Sequence, residues 1–194
     1  MADGGLPRRQ AEYWRETLAE APEPLELPGD RPRPAQPDHA GALVRLVLDG
    51  ELFAALNALG IRHGAHISTV LLAGWAAVLG RLSGQTDLVI GTSAGSRGRR
   101  EAEGPIGSFA SPLPVRVDLS GSPTAAELLG RVEARVRGAL RNGDLPFERV
   151  VELVRPDGAA ALAAPLFRVA FAWGAAPEPR SRAGLDLSLE LREV

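Results

Sequence analysis

Apolar residues along this chain recur in two rhythms, every third or fourth position in some stretches and every second position in others. Tyr13, Trp14 and Leu18 give the first rhythm and predict a helix over Leu6 to Ala21. Leu52, Leu56 and Leu59 predict a second, from Gly50 to His63, stopped by Gly64. A third spans Ser68 to Leu82, where Leu71, Trp75, Val78, Leu79 and Leu82 spread so widely that burial on most sides is expected. Leu128, Val132, Val136 and Leu140 mark a fourth, and Leu145 to Val154 a short fifth. Strands are expected at Leu43 to Leu48, at Leu88-Val89-Ile90, over Phe109 to Val117, at Leu166 to Trp173 and at Leu185 to Leu191. Helices and strands in this order predict an α/β domain with a mixed sheet covered by helices.

Punctuation between these runs is specific. Asp49 can cap the second helix, and before the fourth either Ser122 caps with Pro123 following or Thr124 and Glu127 form a capping box. Pro112 and Pro114 cannot donate to a ladder, so Phe109 to Val117 is an edge strand or an irregular crossover. Pro22 to Pro37 holds six prolines and is read as an extended linker.

Composition narrows the class. The 22 basic and 24 acidic residues nearly cancel, which implies no strong field toward nucleic acid or a membrane surface. With no cysteine, disulfides, a thiol nucleophile and thiolate metal sites are excluded. No signal peptide and no apolar run of membrane-spanning length is visible, so a soluble cytoplasmic protein is expected. The arginines Arg131, Arg135, Arg137 and Arg141 are read as a solvated helix face, with contact to an acidic carrier protein as the alternative.

The richest stretch is Gly84 to Arg116. It combines Gly84-Gln85-x-Asp87-x-Val89-x-Gly91-Thr92, then Arg97, then Ile106-Gly107-x-Phe109. Together with Asp144-Leu145-Pro146-Phe147-Glu148 and Pro165-Leu166-Phe167, this series resembles the C-terminal lobe of nonribosomal peptide synthetase condensation domains, which are chloramphenicol-acetyltransferase-like acyltransferases. The resemblance runs from about Tyr13 to Leu189. It implies residues 1–21 as a helix at the lobe junction, 22–42 as an interlobe linker and 43–194 as the lobe itself, truncated at its end. It further implies peptide-bond formation between two thioesters, each on a phosphopantetheine arm that arrives with a carrier protein. No cofactor is expected to bind this chain directly. The implied partners are an N-terminal condensation lobe, donor and acceptor carrier proteins and an adjacent adenylation domain.

The family's catalytic motif, HHxxxDG, lies on the N-terminal lobe and is not found here; the histidines are His39, His63 and His66. None is read as catalytic, and His63-x-x-His66 without a supporting carboxylate or cysteine is a weak metal signal. The resemblance instead assigns Arg97 to a contact with the aspartate of HHxxxDG across the lobe interface, the alternative being a solvated loop arginine. It places Gly107, Ser108, Phe109 and Ser111 near the substrate tunnel. Gly84, Asp87, Gly91, Asp144, Pro146, Phe147, Pro165 and Leu166 are motif-matched structural positions. Three departures stand out: Ser111 in place of asparagine in IGxFVNTLPLR, Asn142 in place of the histidine of HQDLPFE, and Ala163 in place of the arginine of SRxPLF. They leave open a non-catalytic docking module, or an ester-forming or other acyltransferase variant.

Overall fold

The computed structural model describes residues 5–30, 41–94, 111–155, 166–174 and 184–193. Among them, five helices and four strands follow in the order α1 (Gly5–Thr17), α2 (Gly50–Arg62), α3 (Ile67–Ser83), β1 (Asp87–Ala94), β2 (Ser111–Asp118), α4 (Ala125–Arg141), α5 (Phe147–Val154), β3 (Val169–Trp173) and β4 (Leu187–Leu191). The strands form one mixed sheet in the order β2-β1-β3-β4, with β1 antiparallel to β2, parallel to β3, and β3 parallel to β4. The α/β class and the mixed sheet expected from the apolar rhythms are those of the structure.

Strand β1 carries three consecutive buried residues, Leu88, Val89 and Ile90, as a strand covered on both faces must. Its register sets Leu88 opposite Val117 and Ile90 opposite Val115, both buried. The two prolines of β2 stand opposite Ser93 and Gly91, and β2 lies at the sheet edge, where a missing donor is tolerated. Helices α3 and α4 pack on each other and on β1 and β2. Thr69 of α3 donates to Glu133 of α4 at 2.9 Å, and Arg137 holds the same carboxylate at 2.8 Å.

Local chemistry fixes the helix ends. Asp49 accepts from the Leu52 amide at 2.7 Å and starts α2. Gly84 ends α3 in the left-handed region, φ 73°, returning its amide to the Gly80 carbonyl. Of the two starts open for α4, the capping box is the one formed: Glu127 N–H donates to the Thr124 hydroxyl, and the Thr124 N–H donates to the Glu127 carboxylate at 2.8 Å. Those bonds to Thr124 hold the Glu127 carboxyl below its ordinary range.

Five expectations need correction. Leu43 to Leu48 is not a strand; it joins no ladder among the described residues and its side chains are exposed. A strand exists only by pairing, and an apolar run alone does not supply the partner. Helix α3 is buried on one broad face only, since Val78 and Leu82 are about half exposed. In α4 the buried positions are Leu129, Val132 and Ala139, and Leu140 faces outward. Finally, Arg131 does not serve a solvated face: it donates to the Asp118 and Ser120 carbonyls at 3.1 and 2.9 Å and pairs with Asp118. The expected linker also begins as packed chain, with Leu25 buried and the Glu26 amide donating to the Gln85 side chain at 3.2 Å.

Candidate functional site

Backbone register fixes where the candidate segment leaves and rejoins the sheet. Ala94 ends β1 directly opposite Ser111, the first residue of β2. The segment 95–110 therefore leaves and rejoins the sheet at one point. Arg97, Gly107, Ser108 and Phe109 all belong to that segment and lie outside the described residues, as does Pro165. Of Ser111 only the backbone is described, at the first position of β2.

The parallel pairing of Gly91 with Ala170 puts the ends of β1 and β3 at the same margin of the sheet. There Trp173 stacks on Phe53 of α2, centroids 6.4 Å apart and planes 8° from parallel. His66 meets the same indole edge-on at 6.4 Å. His66 is the N-cap of α3: its Nδ1 accepts the Ser68 amide at 3.2 Å and lies 2.8 Å from the Ser68 hydroxyl. A backbone N–H only donates, so Nδ1 carries no proton in this arrangement. The work of His66 here is capping, and no group of three or more metal-ligating side chains occurs among the described residues.

Behind this margin the motif positions act as fasteners. Arg116 has the densest set of bonds. It donates from Nε and a terminal nitrogen to both oxygens of Asp87, at 2.7 to 3.1 Å. Its other donors reach the carbonyls of Thr17, Ala19 and Glu20, at 2.7 to 3.3 Å, where α1 ends. Bonding to Asp87 raises the arginine pKa further above its ordinary value, so the guanidinium stays charged. Sequence reading singled out Asp87 but not its partner 29 residues on. The available signal was register: Arg116 faces Val89, and Asp87 is the next residue on that face of the strand.

Gly91 is required by close approach. A Cβ there would sit 2.1 Å from the Phe167 ring, and that ring packs on Phe147 with centroids 5.5 Å apart. Gly91→Ala is expected to lower stability by about 1–3 kcal/mol through overpacking. Adding Phe167→Leu should return part of that loss in a urea titration, because it removes the obstructing ring. Leu166 is buried beside this contact.

The Asp144-Leu145-Pro146-Phe147 segment links α4 to α5, with Pro146 as the residue preceding α5. Gln10 of α1, itself buried, donates to Asp144 at 3.3 Å. Trp14 of α1, fully buried, donates from Nε1 to the Asn142 carbonyl at 2.9 Å. The Asn142 side chain turns back to the Gly138 carbonyl at 2.9 Å and ends α4. Thus α1 is tied at its end to β1 and β2 through Arg116, and along its length to the 142–144 turn through Gln10 and Trp14.

Comparison with known proteins agrees with this arrangement. The family model described as the condensation domain matches residues 6–192. Malpibaldin synthetase of Mortierella alpina is 48% identical over 169 residues, which span 87% of this chain and 3% of that protein. Phosphinothricin tripeptide synthetase PhsC of Streptomyces viridochromogenes is 43% identical over 159 residues, 82% of this chain and 14% of the relative. Among solved structures, the X-domain from teicoplanin biosynthesis superposes with a TM-score of 0.79 at 36% identity, covering 89% of this chain and 38% of that one. A four-domain nonribosomal peptide synthetase superposes with a TM-score of 0.77 at 26% identity, covering 84% of this chain and 12% of the other. No single helix among the described residues is long and apolar enough to cross a membrane. By its family model, its relatives and its fold, the chain belongs to the condensation-domain family of nonribosomal peptide synthetases.

Proposed function

We propose that this chain is the C-terminal lobe of a condensation domain and supports amide-bond formation between two carrier-bound thioesters. One observation carries the reading. The family match covers nearly the whole chain, whereas the histidine motif of the family is not in the sequence. The chemistry asks for two tethered reactants held in line, a group to manage the amine proton and donors for the developing oxyanion. In this reading the proton-handling histidine belongs to an N-terminal lobe, and residues 43–194 supply the opposite wall of the tunnel. Residues 1–21 and 22–42 form the junction helix and the tie to that lobe. Both phosphopantetheine arms enter on carrier proteins as parts of the substrates, and an adenylation domain is the neighbour.

Within this frame Arg97 reaches across the interface to the aspartate of HHxxxDG, and its planar fork suits a carboxylate. Gly107, Ser108, Phe109 and Ser111 border the tunnel. Support for this placement is topological, since Ala94 and Ser111 pin both ends of the segment to one margin of the sheet.

A second reading, a docking lobe without turnover, draws on the 142–144 turn. Asn142 stands where the resemblance expects histidine, and its side chain and carbonyl are both committed to internal bonds. The X-domain it resembles was solved in complex with OxyB.

Exchange of residues 6–192 for the matching segment of an active condensation domain separates the two. Amide product from loaded carrier proteins, seen by mass spectrometry, supports the first reading. A folded chimera that binds both carriers without product sinks it in favour of the second. If the first holds, Arg97→Ala in the chimera is expected to lower product formation at least about tenfold, a loss of about 1.4 kcal/mol in barrier terms, while Arg97→Lys recovers little.

A further inference from the structure

In the segment that resembles HQDLPFE, Asn142 is not the sole departure: Gly143 stands at the glutamine position beside it. An asparagine therefore directly precedes a glycine, and the pair has chemistry of its own. Glycine has no side chain to shield its amide nitrogen and turns freely, so that nitrogen can reach the preceding side-chain amide. The chain's other asparagine, Asn57, precedes Ala58 within α2 and lacks such a neighbour.

The fold holds this pair in check. Asn142 ends α4 with φ −113° and ψ 17°. At that ψ the Gly143 nitrogen nearly eclipses the nitrogen of Asn142 and is turned away from its Cβ, so it cannot meet Cγ. The side-chain Nδ2 donates to the Gly138 carbonyl at 2.9 Å, and the main-chain carbonyl accepts from the Trp14 indole at 2.9 Å. Gln10 fastens Asp144, the residue after the glycine. The Gly143 amide itself donates to no acceptor among the described residues, and both residues are half-buried, within reach of water. Larger residues do not fit at 143, since a Cβ there would lie 3.2 Å from a Leu113 methyl. Conformation is the restraint, and α1 supplies much of it.

We infer that Asn142-Gly143 is a site of spontaneous deamidation, timed by opening of the turn that α1 holds shut. When the turn opens, the Gly143 nitrogen bonds to Cγ of Asn142. The Cγ–Nδ2 bond breaks, and the Gly143 amide proton leaves with Nδ2 as ammonia. Water then adds to either carbonyl carbon of the five-membered imide ring, and the bond from that carbon to nitrogen breaks. Opening at Cγ gives aspartate, and opening at the main-chain carbon gives isoaspartate. No oxidant or reductant takes part. Both products lose the donor to Gly138 and place a carboxylate at the negative end of the α4 macrodipole. The isoaspartyl form also adds a methylene to the main chain and takes the carbonyl bound by Trp14 out of it. The turn is thereby released from α1 and α4. The inference does not depend on the proposed reaction.

The test uses the 194-residue chain itself, incubated folded and in concentrated urea at one pH. Peptide mass spectrometry follows conversion of side-chain amide to acid at Asn142, with Asn57 as the internal reference. In urea Asn142 should convert faster than Asn57, and the folded chain should convert at least about tenfold more slowly at Asn142 than the unfolded one. Trp14→Phe and Gln10→Ala each remove one tie to the turn. Both should speed conversion in the folded chain, the first about tenfold, in step with faster exchange of amides 142–145. Asn142→Asp stands for one product and should speed the same exchange about tenfold. The inference fails if folded and unfolded chains convert alike, if Asn142 is no faster than Asn57 in urea, or if neither variant outpaces the wild type. Release of the turn is overturned if the Asn142→Asp chain is as protected over 142–145 as the wild type.

Discussion

Replacing Arg116 with alanine is expected to lower the thermal midpoint by about 5–10 °C. The Arg116 guanidinium bridges the Asp87 carboxylate of β1 and three carbonyls at the end of α1. Hydrogen bonds to charged groups are worth about 1.5–3 kcal/mol each where water is excluded, and less where it is not. The Arg116 side chain is 21% exposed, so the set as a whole is assigned about 2–3 kcal/mol. For a chain of this size each kcal/mol moves the midpoint by about 2–4 °C. Two controls identify the cause. Arg116→Lys keeps the charge but offers a single nitrogen, and should recover less than half of the loss. High salt should leave most of the effect in place, because bonds to carbonyls are short-range and screening acts on separated charges. A midpoint within about 1 °C of the wild type would show that the clamp is dispensable. The consequence is positional: without Arg116, the end of α1 is no longer fixed against the start of β1.

The apolar rhythms identified nine of the ten expected elements because each of those nine carries its own apolar pattern and finds a partner to bury it against. Helix α4 shows how far that goes. Thr124 and Glu127 could be read directly as a box, yet the face α4 buries is rotated from Leu128 and Leu140 toward Leu129 and Ala139. Rotation of a helix is set by what lies beneath it, here β2 and α3, and that is a tertiary fact. Segment 43–48 fails for the opposite reason. Its apolar, β-branched run reads as a strand, but a ladder needs a second strand, and none of the described residues provides one.

The site was legible in a similarly divided way. Motif matching selected Gly84, Asp87, Gly91, Asp144 and Phe147, and each has a physical task in the structure: a left-handed cap, a clamp partner, a close approach, a bond to Gln10 and a ring contact. What motif matching could not show was the other half of each contact. Arg116, Phe167, Gln10 and Trp14 lie far along the chain from their partners. The Phe53, His66 and Trp173 cluster escaped for the same reason, since three separate elements bring it together.

Trp14→Ala is expected to have the largest effect of any single change, about 3–5 kcal/mol, enough to remove a large part of the stability of a domain this size. Trp14 is fully buried, meets Tyr13 edge-on at 5.0 Å and belongs to the central core with Leu18. Truncation leaves a cavity and also strands the Asn142 carbonyl, which accepts the indole N–H. Those two losses can be separated. Trp14→Phe keeps most of the apolar contact and removes the bond, so it should cost about 1–2 kcal/mol in a urea titration, the share belonging to the unpaired carbonyl. Local exchange should follow the same division. In both variants the amides of Asn142 to Leu145 should exchange faster, because the turn loses its tie to α1, whereas protection in β1 should fall only in the alanine variant. If the phenylalanine variant matched the wild type in stability and in exchange over 142–145, packing alone would hold the turn. The tie between α1 and the segment that resembles HQDLPFE would then be a contact of shape, and Gln10 to Asp144 would be the bond that remains to position it.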